Sequence, residues 1–180
     1  MRIRSCFRCL LVFTALIIPA HAVLAGEITD HPLLGKSAPD FTLEDLNGKI
    51  WTLSSLENQK VVLLDFGRIG CNPCRTIGKE LQKLHDKYRN RGLQVLAVNL
   101  DAAFNAANVA EYVKNSRYTY PFLRDADRTT VEPYGIEYIP HIVIVDRSGI
   151  VRFVSEGYDS RLPSKLKSKI EPLLPEQAHP

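Results

Sequence analysis

Residues 61 to 100 hold an apolar run, an amphipathic stretch and a second apolar run, and few folds accept that order. Val61-Val62-Leu63-Leu64-Asp65-Phe66 is short and rich in β-branched residues and leucine, as in a strand buried on both faces. Ile77, Leu81, Leu84 and Tyr88 then recur at helical spacing, with Lys79, Lys83 and Lys87 off that stripe, until Asn90-Arg91-Gly92 stops the helix. Leu93 to Leu100 reads as another buried strand. Strand, helix and strand in this order form a right-handed βαβ unit with parallel strands, which sets an α/β fold class.

Cys71-Asn72-Pro73-Cys74 lies where the first strand gives way to the helix. At a helix N-terminus, free backbone N–H groups and the positive end of the dipole favour a thiolate, the form in which cysteine reacts. Pro73 fits the first turn, which does not need its N–H. A zinc half-site is the other reading of C-x-x-C, but a structural zinc needs ligands from a second cluster, and the sequence shows none. His31, His85 and His179 give no metal-ligand spacing with each other.

The first 25 residues read as an export signal: a basic n-region of Arg2, Arg4 and Arg8, an apolar stretch from Cys9 to Ile18, and small residues for cleavage near Ala20-His21-Ala22 or Val23-Leu24-Ala25. The apolar core breaks at Pro19 and His21, short for a spanning helix, so cleavage is expected over an uncleaved N-terminal anchor. Cys6 and Cys9 form a second C-x-x-C, but one inside the signal with no strand before it. The signal holds three of the 23 basic residues and none of the 20 acidic ones, which leaves 20 against 20. A neutral remainder without a basic stripe gives no support for nucleic-acid binding. About 155 residues suffice for one domain with a single core, expected over residues 35–174. One bridge across two residues closes almost no loop, so the vicinal pair is there to react rather than to staple.

Elsewhere, Phe41 to Leu43 and Ile50 to Leu53 read as a hairpin around Asn47-Gly48. Asn105 to Asn115 reads as a helix, Tyr120 to Leu123 as a short strand and Thr129 to Tyr134 as a helical turn. His141 to Val145 and Ile150 to Val154 form a second hairpin, and Leu162 to Leu174 a last helix interrupted at Pro172.

Gly35-Lys36-Ser37-Ala38-Pro39-Asp40-Phe41-Thr42-Leu43, Asp65 six residues before Cys71, the C-x-x-C itself, and Tyr134-Gly135-Ile136-Glu137-Tyr138-Ile139-Pro140 together resemble the thioredoxin-fold superfamily, and within it the exported TlpA/ResA-type thiol-disulfide oxidoreductases. The resemblance covers roughly residues 35 to 172. It implies a thioredoxin-like fold, a central mixed β-sheet flanked by helices with an N-terminal β-hairpin extension. It implies that Cys71 is the nucleophile and Cys74 resolves the mixed disulfide, with no cofactor beyond a redox-active Cys71–Cys74 disulfide. Asp65 would be buried behind the pair, its carboxyl pKa raised so that it exchanges a proton with Cys74; as a plain strand residue it would instead be satisfied by backbone donors. Ile139-Pro140 matches the family's cis-proline, which offers backbone to an extended substrate, and Gly70, Asn72 and Pro73 complete the implied substrate surface. Implied partners are protein thiols and disulfides in the periplasm, with electrons from a membrane donor of the DsbD/CcdA type and apocytochrome c among the targets.

The chain departs from the pattern at several positions. Gly70 stands where Trp is usual and Gly67 where a second aromatic is common, so the cleft should be more open. Ala97 stands where thioredoxin pairs a lysine with the aspartate, and Ile77 where ResA-type proteins carry a glutamate, with Glu80 about a turn later. Two other readings follow from the wider superfamily. Cys71, Cys74 and His141 resemble a soft Cu(I) site of copper chaperones, though without their wider cysteine spacing. A peroxiredoxin-like peroxidase shares the N-terminal segment, but Leu64 and Arg68 occupy the proline and threonine positions of its P-x-x-x-T-x-x-C signature.

Overall fold

The computed structural model describes residues 26–176. The expected signal, its Cys6 and Cys9, and His179 lie outside the described residues. Strands β1 (Gly26–Glu27), β2 (Thr42–Asp45), β3 (Ile50–Thr52), β4 (Val61–Gly67), β5 (Leu93–Asn99), β6 (Phe122–Arg124), β7 (His141–Val145) and β8 (Val151–Glu156) form one sheet in the order β1-β8-β7-β4-β5-β6-β2-β3. The helices are α1 (Asn72–Tyr88), α2 (Ala106–Ser116) and α3 (Leu162–Ile170), the last ending in a 3-10 turn at Glu171–Leu173 that contains Pro172.

β4 lies at the centre, parallel to β5 and antiparallel to β7, so the βαβ unit is as expected. Alternate residues of β4 serve two cores, which is why the run reads as continuously apolar. Val61 and Leu63 pack with Ile77, Leu81, Leu84 and Tyr88 of α1 and with Leu162, Leu166 and Ile170 of α3. Val62, Leu64 and Phe66 face the other way, against Phe41, Leu53 and Tyr134, and the lead-in from Ile28 to Ala38 lies over that second core. The Tyr134 hydroxyl donates to the Pro39 carbonyl at 2.7 Å and ties the lead-in down. Gly92, with φ at 95°, takes the left-handed turn that ends the helical segment before β5.

The Asn-Gly hairpin forms as β2 and β3, and Asp45 organises its turn by accepting from the N–H groups of Asn47 and Lys49 and from the Trp51 indole. The hairpin extends the sheet beyond β6, where Glu44 pairs with Arg124. The helical turn expected over Thr129–Tyr134 is instead a run of hydrogen-bonded turns. Its cause is Asp125, whose carboxyl accepts from both the N–H and the hydroxyl of Thr129 and of Thr130. Side-chain acceptors of this kind compete with the helical ladder.

Candidate active site

Cys71 and Cys74 are joined as a disulfide across the first turn of α1, with their Cα atoms 5.2 Å apart. Cys71 is the N-cap residue, and its sulfur accepts from the backbone N–H of Cys74 at 3.2 Å. That contact is the local form of thiolate stabilisation by orphan helix donors. Cys71 is half-buried, with exposed Asn72 and Pro73 beside it, whereas Cys74 is buried. The two sulfurs therefore differ in access as a nucleophile and a resolving thiol must. Cys74 packs against the end of β4: a Cβ on Gly67 would stand 3.3 Å from both Cys74 Cβ and Sγ. Glycine at 67 lets the helix start come this close to the strand.

Asp65 is two residues before Gly67 on the same strand, so its side chain points to the same face of the sheet. It lines a cavity of about 30 Å³ together with Cys74, Gly78, Ala97, Tyr118 and Tyr120. That is room for a water molecule. Asp65 Oδ1 has no hydrogen-bond partner. Burial pushes the carboxyl pKa from its ordinary 3.8 up to about 7. Ala97 is its register partner on β5, so no cation faces it from that strand. Backbone satisfaction of the carboxylate is not what the structure shows at Oδ1.

The Ile139–Pro140 bond is cis. The ladder that ends with Phe66 paired to His141 leaves Pro140 just beyond it, at the end of the sheet where Gly67 meets Cys74. The Pro140 carbonyl is held by the Gly157 N–H at 2.8 Å.

A family model described as the AhpC/TSA family matches residues 34–154. The chain belongs to the AhpC/TSA family. Within it, thiol-disulfide oxidoreductase ResA of Bacillus subtilis is 30% identical over 137 residues, covering 76% of this chain and 74% of that protein. ResA of Geobacillus thermodenitrificans is 25% identical over 174 residues, covering 96% and 97%. A crystal structure from Chlorobium tepidum, provisionally described as a thiol:disulfide interchange protein DsbE, superposes with a TM-score of 0.71 at 30% identity, covering 76% of this chain and 94% of that one. The chain is thus a ResA-like thiol-disulfide oxidoreductase with a thioredoxin-like fold.

Against that ResA-like background, Gly70 is exposed, and nothing lies within 4 Å of where its Cβ would be. Glu80 is paired with Lys83 at 2.8 Å on α1. His141 does not join the sulfurs. Its parity on β7 is that of Phe66, so it faces the core opposite Asp65 and Cys74, with its ring 5.8 Å from Phe66 and 5.7 Å from His31. There it is fully buried and its Nδ1 bonds Glu156 at 3.0 Å. Burial lowers its pKa, against the pull of the Glu156 carboxylate. Among the described residues no cluster of three His, Cys, Asp or Glu side chains is placed to hold a metal ion.

Tyr118, Tyr120 and Gly78 were not among the expected site residues, yet all three line the Asp65 cavity. Alternation places Tyr118, Tyr120 and Phe122 on one side, where their rings stack at 5.2 to 5.7 Å and wall the cavity. Gly78 interrupts the apolar stripe of α1 without a turn to explain it, and that was the available signal.

Proposed function

We propose that the protein is a reductant of disulfides in exported proteins. The Cys71 thiolate attacks one sulfur of a substrate disulfide, forming a mixed disulfide and releasing the other sulfur as a thiolate. Cys74 passes its proton to the Asp65 carboxylate, and the resulting thiolate attacks Cys71 Sγ. The Cys71–Cys74 disulfide forms, the second substrate sulfur leaves as a thiolate, and two electrons have moved from the pair to the substrate. The observation that carries this reading is the unpartnered, buried Asp65 carboxyl sharing one cavity with Cys74. Ile139 and Pro140, with Gly70, Asn72 and Pro73, form the surface that takes the substrate chain. No cofactor is required beyond the cysteine pair.

The setting follows the sequence: export to the periplasm on residues 1–25, a domain over 35–174, recharging by a DsbD/CcdA-type membrane donor, and apocytochrome c among the targets. ResA is the name of the curated relatives, and the chain has an Asn-Pro dipeptide with no histidine between its cysteines. The copper reading gains no specific observation, since His141 faces the opposite core, and the peroxidase reading still lacks its signature, with Leu64 and Arg68 at the proline and threonine positions. Cys71→Ser abolishes exchange, and Cys74→Ser accumulates mixed disulfides with partner proteins. The reduction potential decides direction. A value below about −200 mV is expected, and one near −120 mV, that of a strong oxidant, sinks the reductant assignment while leaving the exchange chemistry in place.

A further inference from the structure

Outside the Asp65 cavity, a groove of about 290 Å³ opens between α1 and α2, lined by Asn72, Arg75, Thr76, Lys79, Tyr112 and Tyr118. Tyr112 and Tyr118 line the inner cavity as well. The Tyr118 ring stacks on Tyr120 at 5.2 Å and on Phe122 at 5.7 Å, with the Tyr112 edge 6.1 Å away. Its hydroxyl reaches α1 where a side chain at 78 would be, 2.8 Å from the ideal Cβ position of Gly78. The Tyr118 ring, with Tyr112 against its edge, thus borders both the groove and the cavity that holds the carboxyl.

We propose that Tyr118 is a positioning residue for the exchange reaction, a wall that keeps groove water away from the Asp65 carboxyl and Cys74. This rests on the role given above to Asp65. The groups facing Asp65 are Cys74 from α1, Tyr118 and Tyr120 from the segment entering β6, Tyr112 from α2 and Arg68 from the loop after β4; Ala97 on β5 and Ile142 on β7 are its apolar register partners. Arg68 is exposed, and it is the one cation lining the cavity. Desolvation, rather than a neighbouring charge, is what raises the carboxyl pKa. A side chain that controls water entry therefore controls that pKa.

The test is carbon-detected NMR titration of Asp65 in the oxidised full-length protein, carrying Tyr118→Ala or Tyr118→Phe, beside pH profiles of disulfide exchange. Tyr118→Ala opens the wall, and the Asp65 midpoint falls by about one pH unit or more. Tyr118→Phe keeps the ring and leaves the midpoint near that of the parent protein. An unchanged midpoint in Tyr118→Ala overturns the inference, as does an equal fall in Tyr118→Phe, which would assign the effect to the hydroxyl. Tyr118→Val serves if the alanine variant does not fold. A midpoint that moves as expected while the exchange profile stays fixed refutes the Asp65 proton step instead, and leaves the wall standing.

Discussion

Asp65 faces Ala97 directly across β4 and β5, so a buried carboxyl meets a methyl group at a strand position where a cation could have neutralised it. Asp65→Asn should slow turnover by about 10 to 100 fold, because the proton acceptor for Cys74 is gone. Stability should rise, by about 1 kcal/mol or more near pH 7, since the buried charge is removed. Melting curves and insulin-reduction rates, taken side by side, check both halves. A less stable variant with an unchanged rate contradicts the assignment.

The same carboxyl gives a pH dependence with a definite sign. Its folded pKa is about 7 against an ordinary 3.8, so between those values the folded chain keeps a proton the unfolded chain has lost. Stability from this group falls as pH rises from about 4 to about 7 and is level above that, by at most about 4 kcal/mol in all. His31, His85 and His141, whose pKa values are lowered chiefly by burial, act in the opposite direction, losing stability as pH falls below 6.5. The difference in unfolding free energy between the oxidised parent and Asp65→Asn isolates the carboxyl. That difference widens from pH 4 to pH 7; a gap independent of pH counts against a raised pKa.

Gly67 and Gly70 stand on either side of the strand end and should respond oppositely to alanine. Gly67→Ala sets a methyl 3.3 Å from Cys74 Cβ and Sγ, both held by the helix start and the disulfide. A loss of about 1 kcal/mol and slower exchange are expected. Gly70→Ala meets nothing within 4 Å and should stay within about 0.5 kcal/mol of the parent. Denaturant unfolding of both variants checks the contrast.

Gly78 and Tyr118 should be strongly coupled. In Gly78→Ala the new methyl lies 2.8 Å from the Tyr118 hydroxyl oxygen and 3.4 Å from that of Tyr120, a cost that outweighs the helix propensity gained. Tyr118→Phe removes the closest atom. The double variant should recover about 1 kcal/mol relative to the sum of the single changes in a double-mutant cycle. Simple additivity refutes the contact.

The core of the fold was legible because local pattern and tertiary burial agree there. Val61 to Phe66 is apolar on both faces because it feeds two cores, and the α1 stripe of Ile77, Leu81, Leu84 and Tyr88 is buried as its spacing implies. The cysteine pair was readable from motif and spacing, whereas the burial of Asp65 and the cis bond before Pro140 were expected only from the family resemblance. What escaped was set by distant partners. The position of the β2–β3 hairpin depends on Glu44 and Asp45 pairing with Arg124 and Leu123, some eighty residues on, which no local pattern encodes. The turns at 129–134 depend on one carboxylate, Asp125, capturing two threonines. His141 stands next to Pro140 in sequence, yet strand alternation turns it to the face away from Cys74. Adjacency along a strand separates side chains rather than uniting them.

The short strand β1 fixes which pole of the domain carries the N-terminal edge of the sheet. Gly26 pairs with Glu156, Glu156 with His141, and His141 with Phe66, so the first described residue lies on the row that ends one residue before Gly67, the glycine against Cys74. β1 runs antiparallel to β4, so its first residue stands at that same end of the sheet, roughly 14 Å from β4 at three strand spacings. The N-terminal edge of the described sheet and the cysteine pair therefore share one pole of the domain, the pole at which β4 ends.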